Sequence, residues 1–280
     1  MAAARGEFSS RFGFIMAAAG SAVGLGNIWG FPTQAASNGG AAFLLVYLIL
    51  AFTLAYPALM AELIIGRHAH SNAVNALKLI SPGATTRRIG ATTGIIGFIM
   101  ASLILSFYAI VAGWMIAHCL GSLADIFGIE SASRWLIDFG FTRNITFMLL
   151  FIALTVGIIS EGVQQGIERW SARLMPMLLV TLLLLVVYVL TLDGAIDGLK
   201  VYLLPDFERA MSPALIINAL GSAFFSLSLG LGAMIAYGSY IDKKESIYRS
   251  ALSVILLDTA VALLACLAMF TIIFSIPGLD

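Results

Sequence analysis

Apolar residues run along this chain in seven stretches that can cross about 30 Å of hydrocarbon, roughly 20 residues each in helical form: 12–36, 41–65, 89–124, 141–159, 174–192, 213–241 and 250–276. The pattern predicts an all-α polytopic membrane domain with no separate soluble unit. The fourth stretch has an uninterrupted core of Ile145 to Ile159 alone, and it is predicted to span with Arg143 snorkelling to the interface. Two stretches are interrupted. Gly20-Ser21-Ala22-Val23-Gly24-Leu25-Gly26-Asn27-Ile28-Trp29-Gly30-Phe31-Pro32 sets glycines, an asparagine and a proline inside the first, and Gly221 to Gly232 sets glycines and hydroxyls inside the sixth. In hydrocarbon an unpaired backbone N–H or C=O costs several kcal/mol, so a break survives where it lines a cavity or meets a polar ligand. Gly-Leu-Gly occurs at both breaks, at 24–26 and 230–232. Glycine-interrupted spans at corresponding places point to a binding site between inverted repeats. If the first span corresponds to the sixth, a five-helix repeat covers about 1–192 and an incomplete second one about 213–280.

Charge placement gives these spans a direction. With the N-terminus inside, Arg5, Arg11, Arg67, Lys78, Arg87, Arg88, Arg169, Arg173, Lys243, Lys244 and Arg249 fall inside, while Arg134, Arg143, Lys200 and Arg209 fall outside. That excess follows the positive-inside rule, and it requires the fourth span. The connection 66–88 carries Arg67, His68 and His70 and reads as a solvated loop rather than a metal site. Residues 160–173 read as a short interfacial turn or helix with Trp170 at headgroup depth. The stretch 193–212, with Asp193, Asp197, Asp206, Glu208 and Pro205, reads as an external loop.

Composition narrows the class. Hydrophobic residues make up 60% and charged ones 11%, against about a quarter charged in a soluble domain, and mean hydropathy is +1.00. A net charge of zero offers no basic surface to nucleic acid. Cys119 and Cys266 both lie in apolar stretches and are expected to be buried thiols. The N-terminus lacks the features of a cleaved signal peptide, so the first span is expected in the mature protein. Gly24-Leu25-Gly26 is no dinucleotide fingerprint, because no strand precedes it. Gly20-x-x-x-Gly24 suits close helix packing, which accounts for the glycines but not for Asn27, Pro32, Ser226 and Ser228 sharing the breaks. Two carboxylates, Glu62 and Asp258, lie within spans, where each costs about 2.5–3.5 kcal/mol at a helix centre and is functional by default.

The residues Gly20 to Trp29, Phe31-Pro32, Asn38-Gly39-Gly40-Ala41-Ala42-Phe43, Tyr47, Pro57, Glu62 and Gly66-Arg67 closely resemble the neurotransmitter:sodium symporters, particularly bacterial amino-acid transporters with the leucine-transporter fold. Ser106-Phe107-Tyr108, Gly166-Ile167-Glu168-Arg169 and Phe225 to Gly230 extend the resemblance along the whole chain. It implies that a substrate carboxylate is held at Ala22, Gly24, Leu25, Gly26 and Tyr108, in keeping with the affinity of a half-helix N-terminus for anions. It implies that Ile104, Phe225, Ser226, Ser228 and Leu231 receive the amino group and side chain, with Tyr108 and Phe225 closing over them. Gly24 replaces the aspartate of monoamine carriers, which implies an α-amino acid.

The resemblance also implies a first sodium at Ala22, Asn27, Ser226, Asp258 and the substrate carboxylate, and a second at the Gly20 and Val23 carbonyls with its other ligands on an eighth helix beyond residue 280. Glu62 is implied to pair with broken-helix backbone. Gly30 departs from the arginine that most members use at the outer gate. Chloride is not expected: the matching positions keep Tyr47 and Ser226 but carry Ser222, Asp258 and Ala262, and the Asp258 carboxylate repels an anion. The expectation is therefore a sodium-coupled symporter of a neutral α-amino acid in the inner membrane, not an enzyme, with a homodimer left open. The chain is expected to be an N-terminal portion of such a carrier, or a non-transporting remnant of one. A channel lacks support for want of a ring motif, and an intramembrane enzyme for want of a nucleophile–base pair or metal cluster.

Overall fold

The computed structural model describes residues 7–204 and 212–275, so Arg5, Pro205, Asp206, Glu208, Arg209 and residue 280 lie outside the described residues. Twelve helices follow in order among these: α1 (Arg11–Ala22), α2 (Gly26–Ser37), α3 (Ala41–Ala69), α4 (Ala73–Leu79), α5 (Ala84–Ile126), α6 (Glu130–Ile137), α7 (Phe141–Ser160), α8 (Val163–Val189), α9 (Ala195–Leu203), α10 (Pro213–Ser226), α11 (Ala233–Gly238) and α12 (Ile247–Ser275). Five of them, α3, α5, α7, α8 and α12, are long and apolar enough to cross a membrane. The pair α1 and α2, bent by 55°, makes a sixth as one broken span.

The first break has a local cause. Ser10 starts α1 by accepting the Gly13 N–H at 2.9 Å, and Val23 ends it in extended backbone (φ −75, ψ 117). The chain re-enters helix at Gly26 through a π turn over Gly26–Gly30, a form that often marks functional sites. In the second break, residues 227–232 hold positive φ at Ser228 (53), Gly230 (82) and Gly232 (81). Glycine takes that conformation freely, whereas the serine is strained by about 1–3 kcal/mol. The sixth stretch, 213–241, is therefore helical to Ser226 and again from Ala233, broken as the sequence reading has it.

α10 packs on the first half of α3 and α11 on its second half, so the broken span runs alongside an unbroken one. Gly66 and Gly238 let α3 and α11 meet backbone to backbone: a Cβ on Gly66 would overlap the Ile235 carbonyl, and one on Gly238 the Leu63 carbonyl. α12 contacts α1, α2, α3, α8 and α9, and Ala251, Val254, Ile255, Asp258 and Ala262 along it are fully buried.

Several boundaries differ from the sequence reading. The fifth span starts at Val163, not 174, because residues 163–173, read as a short interfacial turn or helix, are helical and continuous with the span. Gly162 (φ 83) turns the chain, Gly166 seats against the Ile158 carbonyl, and Glu168 points inward to Ser9, whose N–H donates to Oε2 at 2.8 Å. The third span is longer than 89–124 at both ends, and the loops 66–88 and 193–212 contain α4 and α9. Arg143 does not snorkel outward. It is 2% exposed, donates to the Leu136 carbonyl at 2.7 Å and to Asn144 Oδ1 at 2.9 Å, and lies over the Phe139 ring. The C-terminal carbonyls of α6 attract the guanidinium inward. Of the two thiols expected to be buried, Cys266 is and Cys119 is exposed.

Candidate substrate and ion site

The two breaks and the middle of α12 converge on Asp258, which is fully buried. Asn27 Nδ2 donates to Asp258 Oδ1 at 2.8 Å and to Ser226 Oγ at 2.8 Å. The Ser226 hydroxyl in turn donates to Asp258 Oδ2 at 2.7 Å. Tyr47, 1% exposed, faces Asp258, Ser226 and Thr259 from α3. Neutral oxygens and amides thus surround the carboxylate, and among the described residues the two ion pairs, Arg134–Glu130 and Lys200–Asp197, are elsewhere. An ionised carboxylate so placed carries a desolvation cost of several kcal/mol that a cation would offset.

Released backbone lies around the same point. The last intrahelical bond of α1 runs from Val23 N–H to the Ala19 carbonyl at 2.7 Å, and the Gly24 N–H, which a continuing helix would aim at Gly20, donates to Asn27 Oδ1 at 3.1 Å. The Gly20, Ala22 and Val23 carbonyls thus belong to the unpaired end of α1, a hard-oxygen set suited to an alkali cation. At the second break, Glu62 Oε1 accepts the Gly230 N–H at 2.7 Å. Glu62 therefore pairs with broken-helix backbone, as the sequence reading has it.

A cavity of about 240 Å³ opens beside this cluster. Ala22, Gly24, Gly26, Ile104, Tyr108, Phe225, Ser226, Ser228 and Leu231 all line it, together with Asn27. Leu25 does not: it lines a neighbouring groove with Trp29, Leu103 and Phe107. The role assigned to Leu25 rests on its backbone amide. Ser21, Ala101, Leu105 and Ala233 also line the cavity and escaped the sequence reading. Ala101 and Leu105 share a helical face with Ile104 and Tyr108, a spacing that signals them. Phe225 roofs the cavity so closely that a Cβ on Gly26 would lie 3.0 Å from its ring.

Outside Phe225, a second cavity of about 470 Å³ lies between α2 and α10, lined by Gly30, Gln34, Asn218, Gly221 and Ser222 among others. Gly30 leaves room there, and amides bridge the helices in place of charge: Asn218 Nδ2 donates to Asn38 Oδ1 at 2.9 Å, and Asn38 Nδ2 to the Gln34 carbonyl at 2.8 Å.

The sodium:neurotransmitter symporter family model matches residues 5–138 and 136–276. The chain belongs to that family. An uncharacterised sodium-dependent transporter, YhdH, of Bacillus subtilis is 42% identical over 96% of this chain and 60% of its own length. The human sodium- and chloride-dependent taurine transporter is 28% identical over 96% of this chain and 50% of its own length. Among solved structures, MhsT in complex with L-phenylalanine is 39% identical, with a TM-score of 0.82 over 97% of this chain and 62% of that one. As a sodium:neurotransmitter symporter family member, the chain spans about 60% of the length of relatives such as YhdH.

Proposed function

We propose that this chain supplies the substrate and ion site of a sodium-coupled symporter for a neutral α-amino acid, working by alternating access in the inner membrane. The observation that carries the reading is Asp258, fully buried and held by Asn27 and Ser226 with no basic side chain paired to it among the described residues. A co-transported sodium ion satisfies that charge. Its oxygens come from Asp258, Asn27, Ser226 and the Ala22 carbonyl, and the substrate carboxylate completes the set, so ion and amino acid bind together. A second sodium uses the Gly20 and Val23 carbonyls. The carboxylate lies at the N-terminal end of α2, near Gly24, Gly26 and the Leu25 amide, where unpaired N–H groups and the helix dipole favour an anion. The Tyr108 hydroxyl donates to it. Ile104, Phe225, Ser228 and Leu231 enclose a side chain without supplying a charge.

The lack of a side chain at Gly24 favours a substrate that brings its own carboxylate. MhsT, the similar carrier, is solved with L-phenylalanine, an amino acid of this kind. The basic residues of the 66–88 connection and of 243–249 support a cytoplasmic side for the end of the bundle that holds residues 7–10. Chloride is not required, since Asp258 already provides the negative charge beside sodium. Uptake of radiolabelled neutral amino acids into proteoliposomes holding the intact carrier, with and without an inward sodium gradient, tests the proposal; equal accumulation in both would overturn it.

A further inference from the structure

At the N-terminal end of the bundle, residues 7–10 lie between α8 and the turn that joins α11 to α12. Phe8 N–H donates to the Tyr240 carbonyl at 3.2 Å, and its ring stacks on Tyr237 at 6.2 Å and meets Phe14 edge-on at 5.3 Å. On the other side Ser9 holds Glu168 of α8. Beside Phe8 is a small, partly open cavity of about 80 Å³, lined by Arg11, Asp242, Glu245 and Ser250 among others. Two polar atoms buried in its wall have no protein partner, Arg11 Nε and Ser250 Oγ, and Ser250 is 1% exposed. Neither Asp242 nor Glu245 approaches Arg11 closely enough for an ion pair; Asp242 Oδ1 accepts the Lys244 N–H at 2.8 Å instead. The 242–245 turn is itself fixed to α3, because Arg67 Nη1 donates to the Glu245 carbonyl at 2.7 Å.

Buried donors that share a gap with carboxylates require a mediator, and a polar space of this size has room for a few waters. We propose that Arg11, Asp242, Glu245 and Ser250 form a solvated ionic latch, their charges joined through water, that fastens the start of α1 to the α11–α12 turn. Water-spanned charges attract less than a direct pair, which suits a contact that must release. The inference rests on the reading that α1 and α11 part on this face during transport.

The intact carrier in inside-out membrane vesicles tests it, with Ala17→Cys on the buried face of α1 as reporter, Cys119→Ser as background and a membrane-impermeant maleimide as probe. Arg11→Gln is expected to speed labelling several-fold, as is the pair Asp242→Asn with Glu245→Gln. Combining all three changes adds little to either, because each removes the same latch. Exchanging the charges, Arg11→Glu with Asp242→Arg, returns labelling towards the parent rate, which a merely misfolded Arg11 variant would not allow. An Arg11→Gln variant that labels like the parent, fully additive effects, or no recovery on exchange would overturn the latch. A parent whose labelling ignores sodium would count against the transport reading, while the comparison among variants still judges the latch.

Discussion

Asp258 shows how much one residue can fix. A carboxylate in the middle of an apolar stretch is legible from sequence as functional, and so are Asn27 and Ser226 as polar groups in glycine-marked breaks. Their meeting within 2.8 Å of one another is not, since it joins positions 199 and 231 residues apart. Replacing Asp258 with Asn removes the charge but keeps the shape. Substrate binding in that variant is expected to need sodium concentrations higher by roughly tenfold or more, a change of about 1.4 kcal/mol or above; an unchanged sodium titration would sink the assignment. Tyr108→Phe deletes one hydrogen bond to a charged group, worth about 1.5–3 kcal/mol, so amino-acid affinity should fall roughly tenfold or more with sodium dependence intact. Arg143 was not legible in this way. Its partners are carbonyls at the end of α6, and a sequence shows a charge but not the free acceptors that draw it inward.

At the scale of elements, the breaks were readable because glycine, proline and hydroxyl residues inside apolar runs weaken a helix where hydrocarbon offers the freed backbone no partner, so they persist where the protein uses that backbone. The place of the second break, at residues 227–232, was less so, since Ser228 adopts a left-handed conformation that serine seldom takes. The early start of α8 was hidden for a related reason: Glu161, Gln164, Gln165 and Glu168 read as surface, yet Glu168 is buried against Ser9. The tight seat of α11 on α3 gives a direct test. Gly238→Val forces a branched side chain into the Leu63 backbone, and overpacking of this kind costs about 1–3 kcal/mol. A lowered thermal midpoint and faster proteolysis of the 239–246 turn are expected; an unaltered midpoint would show that the two helices separate freely.

For the whole molecule, the helical membrane fold and the family were legible because long apolar stretches, the two glycine-marked breaks and the residues that carry the family resemblance all agree. The detail at the far end of α2 was not, since the sequence does not show that Asn38 and Asn218 bridge α2 and α10. Residues 1–280 by themselves match about 60% of the length of YhdH and hold two of the proposed ligands of the second sodium, so this stretch alone is expected to show no sodium-driven uptake; accumulation by it would overturn that expectation. The central claim is that a buried carboxylate, a sodium ion and an amino-acid carboxylate occupy one site. Equilibrium binding of a radiolabelled neutral amino acid to the intact purified carrier, compared in sodium gluconate and in potassium chloride, tests it most directly. The account predicts saturable binding in sodium gluconate and little in potassium chloride; equal binding in both, or none until chloride is added to the sodium salt, would contradict it.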